Sequence, residues 1–238
     1  MAPSPDDELV AAAETVQRCW RRKLARRDGK LRLSLWPALG DLRGLYLDES
    51  AIAAGARDSV YYSDEMIVAR EALKKHEEVI GAIETAWESL CAAIGVDSRG
   101  GQLSFDNYCT MNRKLYLLFK AQERDGYIDA EDALESIDDD WAADACGKDH
   151  MDFDDFFDCF FQLADVHTPD VNPYQYASFV AETAKGIFDR SAGWKNEAEM
   201  LARIGRAVGK RGPSKAEWEA SVEAWGERFG VADLPVDG

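Results

Sequence analysis

The chain has 238 residues, of which 46% are hydrophobic and 31% are charged, and its formal net charge is −17. This composition is typical of a globular protein with a buried core, and it excludes an intrinsically disordered chain. The acidic balance argues against a nucleic-acid-binding protein, because a surface of this charge repels phosphates. The five cysteines are spread along the chain without a Cys-x-x-Cys pair, so neither a disulfide framework nor a zinc site is predicted.

Targeting and catalytic signals do not stand out in the sequence. No apolar run approaches the roughly 20 residues that a membrane-spanning helix needs, and Met1–Leu9 does not have the basic-then-apolar pattern of a secretory signal. The motifs His-Glu-x-x-His, Gly-x-Ser-x-Gly and Gly-x-Gly-x-x-Gly do not occur. The sequence therefore predicts a cytoplasmic protein that is not an enzyme and binds neither membranes nor nucleic acids.

Residues 1–33 are predicted to contain a basic helix, with eight basic and five acidic residues. Val16-Gln17, followed by Arg21 and Arg26, resembles the IQ motif, which implies binding to a calmodulin- or centrin-like protein. The residues expected to contact such a partner are Val16, Gln17, Trp20, Arg21, Arg22 and Arg26. The same pattern has two alternative interpretations. The basic helix could dock onto another acidic surface, such as a cytoskeletal polymer, or onto the acidic helices of this same chain.

Helices are predicted for most of the remaining chain. Residues 34–62 are predicted to be an irregular connector interrupted by one proline and three glycines, and one long helix is expected from about Ser63 to Ile94, ending at Gly95. Further helices are expected at 106–120, after an N-cap at Asp129, after the loop 144–149, after the Asn172-Pro173 capping box, at 196–208 and at 214–229. No stretch alternates polar and apolar residues long enough to build a sheet. The predicted fold class is all-α.

Two helix–short loop–helix units form the strongest pattern in the chain. In a calcium-binding loop of this kind, oxygen ligands occupy positions 1, 3, 5, 9 and 12 of twelve, with a backbone carbonyl at position 7. An apolar residue at position 8 joins the two loops of a pair as a short antiparallel ladder. Placing Leu103 and Met151 at this position predicts that these two residues pair.

The two loops differ in their ligands. The first has Val96 and Asn107 at positions 1 and 12, so it is not expected to bind a cation. The second has carboxylates at positions 1, 9 and 12 but places Lys148 at position 5, where an oxygen ligand belongs. No cofactor is required, and Ca²⁺ is the one candidate ligand. The candidate metal ligands are Asp144, His150, Asp152 and Asp155.

Residues 79–188 look like the EF-hand pair of calmodulin-like proteins. Asp140-Trp141, Met151-Asp-Phe and the aromatic run Phe156–Asp165 resemble degenerate EF-hand proteins associated with flagella and cilia in protists and algae. This resemblance implies an EF-hand-like pair, which we assign with its following helix to residues 63–190. The helical pattern of the sequence adds the basic helix at 1–33 and a C-terminal helical extension at 191–238.

The expected function is a non-enzymatic scaffold or adaptor in a cytoskeletal, axonemal assembly. The alternative is a calcium sensor acting through Asp144–Asp155. Residues 123–170 contain 17 acidic residues and two basic ones, a composition that favours cations or basic partner surfaces.

Overall fold

A computed structural model describes residues 64–122, 127–168, 170–189, 193–207, 212–231 and 234. The chain divides into two compact units, 1–69 and 70–238, and nearly all described residues belong to the second. The predicted basic helix, with Val16, Gln17, Trp20, Arg21, Arg22 and Arg26, and the connector at 34–62 lie outside the described residues.

Within the described ranges the secondary structure is helical apart from two pairs of two-residue strands. The helices are α1 (Asp64–Leu73), α2 (Glu77–Ile94), α3 (Phe105–Lys120), α4 (Ala130–Asp144), α5 (Phe153–His167), α6 (Pro173–Ile187), α7 (Glu197–Ala207) and α8 (Lys215–Phe229). The strands are β1 (Leu103–Ser104), β2 (His150–Met151), β3 (Phe188–Asp189) and β4 (Gly193–Trp194). The all-α class predicted from the sequence is confirmed.

The long helix predicted from Ser63 to Ile94 is wrong in one respect, because the structure divides this stretch into α1 and α2. His76 is the N-cap of α2, and its Nδ1 accepts a hydrogen bond from the backbone N–H of Glu78 at 3.3 Å. Glu77 and Glu78 in the first turn complement the helix dipole. Gly95 ends α2 as predicted, with a left-handed φ of 75° that favours glycine.

The two loops meet as predicted. Strands β1 and β2 pair antiparallel, with Leu103 opposite Met151 and Ser104 opposite His150. The Leu103 and Met151 side chains are fully buried. Helices α3 and α5 begin directly after these strands, and their N-caps are Ser104 and Asp152. The two helix-loop-helix units are therefore joined at equivalent positions.

Helix α6 packs against α2, α3 and α5 and completes the main core. Its buried side chains include Tyr176, Val180 and Ile187. The Tyr176 hydroxyl donates a hydrogen bond to the buried carboxylate of Asp165, which also forms an ion pair with Arg70 at 3.0 Å. The apolar surface between the two helix-loop-helix units is thus covered by a helix of the same chain.

The predicted start of α6 is half right. Asn172 is its N-cap and Pro173 its first residue, as expected. In a capping box the Gln175 side chain would accept from the Asn172 N–H. Here the Asn172 N–H instead donates to the Asp170 carbonyl at 2.9 Å, and the Gln175 side chain donates to Asp170 Oδ2 at 3.4 Å. Asp170 is available to Gln175 because it lies just before the cap.

A second, smaller core joins the last two helices to the rest. Helix α7 packs against α3 and α8 packs against α4. The buried members of this core are Leu117, Ile128, Ala130, Ala133, Leu201, Ile204, Val222 and Trp225. Trp218 and Phe229 on α8 are partly buried at the edge of this core.

Buried Glu197 at the start of α7 anchors this second core. Its Oε1 lies 3.0 Å from Arg113 Nη2 and 3.1 Å from Lys114 Nζ, and its Oε2 accepts from Trp225 Nε1 at 3.2 Å. Burial opposes ionisation of Glu197, but Lys114 and Arg113 lower its pKa below the ordinary value.

A short hairpin follows α6. Phe188 pairs with Trp194, and their ring centroids are 5.2 Å apart. This hairpin was not predicted, because two-residue strands are too short to show alternation.

Candidate functional site

The second loop turns sharply after α4. Cys146 and Gly147 have left-handed φ values of 51° and 82°, and the Lys148 N–H bonds to the Ala145 carbonyl at 2.9 Å. The left-handed residues lie at positions 3 and 4 of the loop, whereas the twelve-residue pattern expects a turn glycine at position 6, which is Asp149. The chain then reverses toward β2, and this reversal brings Lys148 over the start of α5.

Lys148 lies among the acidic side chains of the loop. Its Nζ is 2.8 Å from Oδ1 and 2.7 Å from Oδ2 of Asp155, and 3.6 Å from Oδ2 of Asp152. The hydrogen bond that Lys148 donates to Asp155 raises the pKa of Lys148, so the ammonium stays charged. A monovalent cation of the chain itself therefore contacts the two carboxylates predicted to bind metal at positions 9 and 12.

The same two carboxylates also start helix α5. Asp152 Oδ1 accepts from the backbone N–H groups of Asp154 at 3.0 Å and Asp155 at 3.1 Å. Asp155 Oδ2 returns the bond by accepting from the Asp152 N–H at 3.1 Å. Backbone hydrogen bonding from Asp155, together with Lys148, lowers the pKa of Asp152. This reciprocal capping box holds the carboxylates in place.

The other two predicted metal ligands have different partners. Asp144 Oδ2 accepts a 2.8 Å hydrogen bond from the hydroxyl of the fully buried Tyr108. Burial, followed by Cys159 and Asp144, raises the pKa of Tyr108 well above its ordinary value, so the phenol stays protonated and donates. The hydrogen bond between Tyr108 and Asp144 thus links α3 to α4.

His150 bridges the two loops. Its Nδ1 lies 2.6 Å from Asp149 Oδ1, and its Nε2 lies 2.9 Å from Nε2 of Gln102 in the first loop. With the proton on Nδ1, the imidazole donates to Asp149 and accepts from Gln102. In the part of the chain that the structure describes, no group of three or more His, Cys, Asp or Glu side chains is arranged to hold a metal ion.

The first loop is held by backbone and core contacts. Asp97 Oδ1 accepts from the Arg99 N–H at 2.9 Å, and Trp87 Nε1 donates to the Ser98 carbonyl at 3.0 Å. Gly101 is buried so tightly that a Cβ there would lie 2.8 Å from the Cys91 sulfur. These hydrogen bonds and the close packing at Gly101 fix the shape of the first loop.

Sequence reasoning identified Lys148 as an obstacle to calcium binding but missed its ion pairs. The signal was available in the spacing, because Lys148, Asp152 and Asp155 follow one another at i, i+4 and i+7. Such a spacing places three side chains close together when a loop reverses into a helix. The sequence does not show that the loop reverses at Cys146 rather than at Asp149.

Comparisons with protein-family models, curated proteins and solved structures give no match to this chain. Among the described residues, none of the helices is both long enough and apolar enough to cross a membrane. The contacts of the described residues are therefore the basis for a functional argument.

Proposed function

We propose that the chain is a non-enzymatic scaffold or adaptor built on an EF-hand-like pair that folds without a metal ion. One observation carries this proposal: both carboxylate oxygens of Asp155 lie within 2.8 Å of the Lys148 ammonium. In a calcium-binding loop the twelfth residue uses both of its oxygens to hold the cation. In this chain the lysine supplies the positive charge.

The pairing of the loops supports a pair that is already assembled. Leu103 and Met151 are buried opposite each other, and Gln102 and His150 add a polar contact between the loops. A sensor needs a loop whose geometry changes when a dication arrives. The ion pairs of Lys148 and the capping box at Asp152 satisfy the loop's charges beforehand.

The position of α6 supports a scaffold over a sensor. In calcium sensors the helices open an apolar groove that receives a target helix. Here α6 packs against α2, α3 and α5 and buries Tyr176 and Val180 in the main core. The internal helix takes the role that a target helix has in a sensor.

The partners proposed for this scaffold are proteins. The Val16–Arg26 segment is the candidate ligand of a calmodulin- or centrin-like protein, and the acidic helices are candidate surfaces for basic partners. An axonemal or other cytoskeletal location of the assembly rests on the sequence resemblance to flagellar and ciliary EF-hand proteins.

Calorimetric titration of the full chain with millimolar Ca²⁺ tests the proposal, alongside thermal unfolding in EDTA and in Ca²⁺. We expect no heat of binding, no change in tryptophan fluorescence and equal unfolding temperatures. Binding heat together with a Ca²⁺-dependent rise in the unfolding temperature would instead identify a calcium sensor acting through Asp144–Asp155.

A further inference from the structure

We propose that the start of α3 and the end of α4 together form a docking surface for a cationic segment of a partner protein. This inference rests on the proposed scaffold function and names one of its contact surfaces. The surface consists of the aromatic residues Phe105 and Trp141 and the acidic residues Asp106 and Asp138.

The aromatic part of the surface packs on the buried side chain of Tyr108. Phe105 and Trp141 meet edge to face with ring centroids 5.4 Å apart, and Trp141 packs in the same way on the buried Tyr108 at 5.0 Å. Tyr108 is itself fixed by its hydrogen bond to Asp144. Phe105 nevertheless remains 36% exposed, and Trp141 is partly exposed. The two aromatic rings are thus accessible at the surface while they pack on buried Tyr108.

The acidic part lies on the same two helices, with Asp106 on α3 and Asp138 on α4. Phe105 and Cys109 are four residues apart on α3, and Asp138 and Trp141 are three apart on α4, so each pair shares a helix face. The thiol of Cys109 on α3 is half-buried. Burial and then Asp138 raise the pKa of this thiol to about 11; Arg113 opposes the increase and Asp106 adds to it. Both carboxylates are exposed and therefore accessible to a partner.

The aromatic and acidic residues of this surface favour a positively charged partner segment. Aromatic faces attract Arg and Lys cations, and neighbouring carboxylates pair with the same groups. The net charge of −17 and the acidic stretch at 123–170 attract basic segments and repel acidic ones. An amphipathic basic helix satisfies both parts, with apolar residues on Phe105 and cations on Asp106 and Asp138.

The test uses the full chain in EDTA, so that a calcium response does not enter the result. The probe is a fluorescein-labelled helical peptide of about 18 lysine and leucine residues with one apolar face, and its fluorescence anisotropy reports binding. Phe105→Ala and the double variant Asp106→Asn plus Asp138→Asn are each expected to weaken binding about tenfold. Far-UV circular dichroism confirms that both variants are folded.

The matched control is Glu223→Gln plus Glu227→Gln on α8, which removes the same charge from exposed positions elsewhere. We expect this control to change the dissociation constant by less than about twofold, because α8 shares a core with Ala130 and Ala133 at the start of α4, whereas the docking surface lies at its end, and salt screens exposed charges over such separations. Equal weakening by the control, or unchanged binding of Phe105→Ala, would overturn the proposal. A dimer in sedimentation that Phe105→Ala dissociates would assign the surface to a second copy instead.

Discussion

The Lys148 ammonium lies 2.7 Å from Oδ2 of Asp155, and this oxygen also accepts the backbone N–H of Asp152. One carboxylate oxygen therefore binds a cation and caps a helix at the same time. Lys148 itself is partly exposed, whereas the Asp155 side chain is largely buried. The largely buried Asp155 carboxylate is therefore neutralised by the more exposed Lys148 ammonium.

Replacing Lys148 tests this dependence. We expect Lys148→Met to lower the unfolding temperature at neutral pH, because Asp155 then keeps its negative charge without a counter-charge. Lys148→Asn supplies an oxygen in place of the ammonium, so Ca²⁺ should restore part of the lost stability. Differential scanning calorimetry with and without Ca²⁺ measures both effects. The control Lys185→Asn, which removes an exposed ion pair with Glu182, should show neither.

Gly101 should not tolerate a side chain. Its missing Cβ would lie 2.8 Å from the Cys91 sulfur and 3.0 Å from the Asp97 carbonyl oxygen. We expect Gly101→Ala to lower the free energy of unfolding by about 1–3 kcal/mol through overpacking. A Cβ added at the neighbouring Gly100 would instead point into open space, with no atom of another residue within 4 Å beyond its chain neighbours. Urea unfolding of Gly100→Ala should therefore differ from the parent by less than about 0.5 kcal/mol.

Leu103 and Met151 should be energetically coupled. Each substitution to alanine is expected to cost about 2–5 kcal/mol, because both side chains are fully buried. The loss of unfolding free energy in the double variant should differ from the sum of the two single losses by about 0.5–3 kcal/mol, as is usual for residues in contact. Met151→Ala with Leu201→Ala, whose leucine lies in the second core, should be additive within about 0.5 kcal/mol. Equal coupling in the two cycles would argue against the ladder.

Glu197 should make stability depend on pH. Because its folded pKa is lowered, its contribution is present above the ordinary glutamate pKa of about 4.3 and is lost as the pH falls through the folded value. We expect Glu197→Gln to cost about 3 kcal/mol at pH 7, since Lys114 and Arg113 lose their partner. The variant should also show a flatter stability profile in acid.

Urea unfolding between about pH 3 and pH 7 measures this profile. Glu199→Gln is the matched control, because Glu199 lies in the same first turn of α7 and is exposed. The control should leave both the stability and its pH dependence close to those of the parent. A profile for Glu197→Gln as steep as that of the parent would show that other acidic groups control the acid response.

Periodicity and turn chemistry predicted much of this fold, because both act locally. The end of α2 at Gly95, the N-cap Asp129 of α4 and the start of α6 at Asn172 were all readable from the chain. The register of Leu103 with Met151 was also readable, because each lies two residues before an aromatic helix. Each of these features depends on a few neighbouring residues.

Features that depend on distant residues were not readable. The break at His76 competes with a continuous helical pattern, and nothing nearby in sequence shows that α6 covers the core. The Glu197 cluster joins residues that lie 83 and 84 positions apart. At the candidate site, the acidic residues were identified but their partners were not, because Tyr108 reaches Asp144 from another helix.

The capping box of Asp152 and Asp155 has a consequence for how such loops evolve. A carboxylate that both coordinates a cation and begins a helix is under two separate selective pressures. Where no calcium is bound, only the second pressure acts, and it is sufficient to preserve the acid. Acidic residues at positions 9 and 12 of a loop can thus be kept for helix capping alone, and counting them across genomes would overstate the number of calcium-responsive proteins.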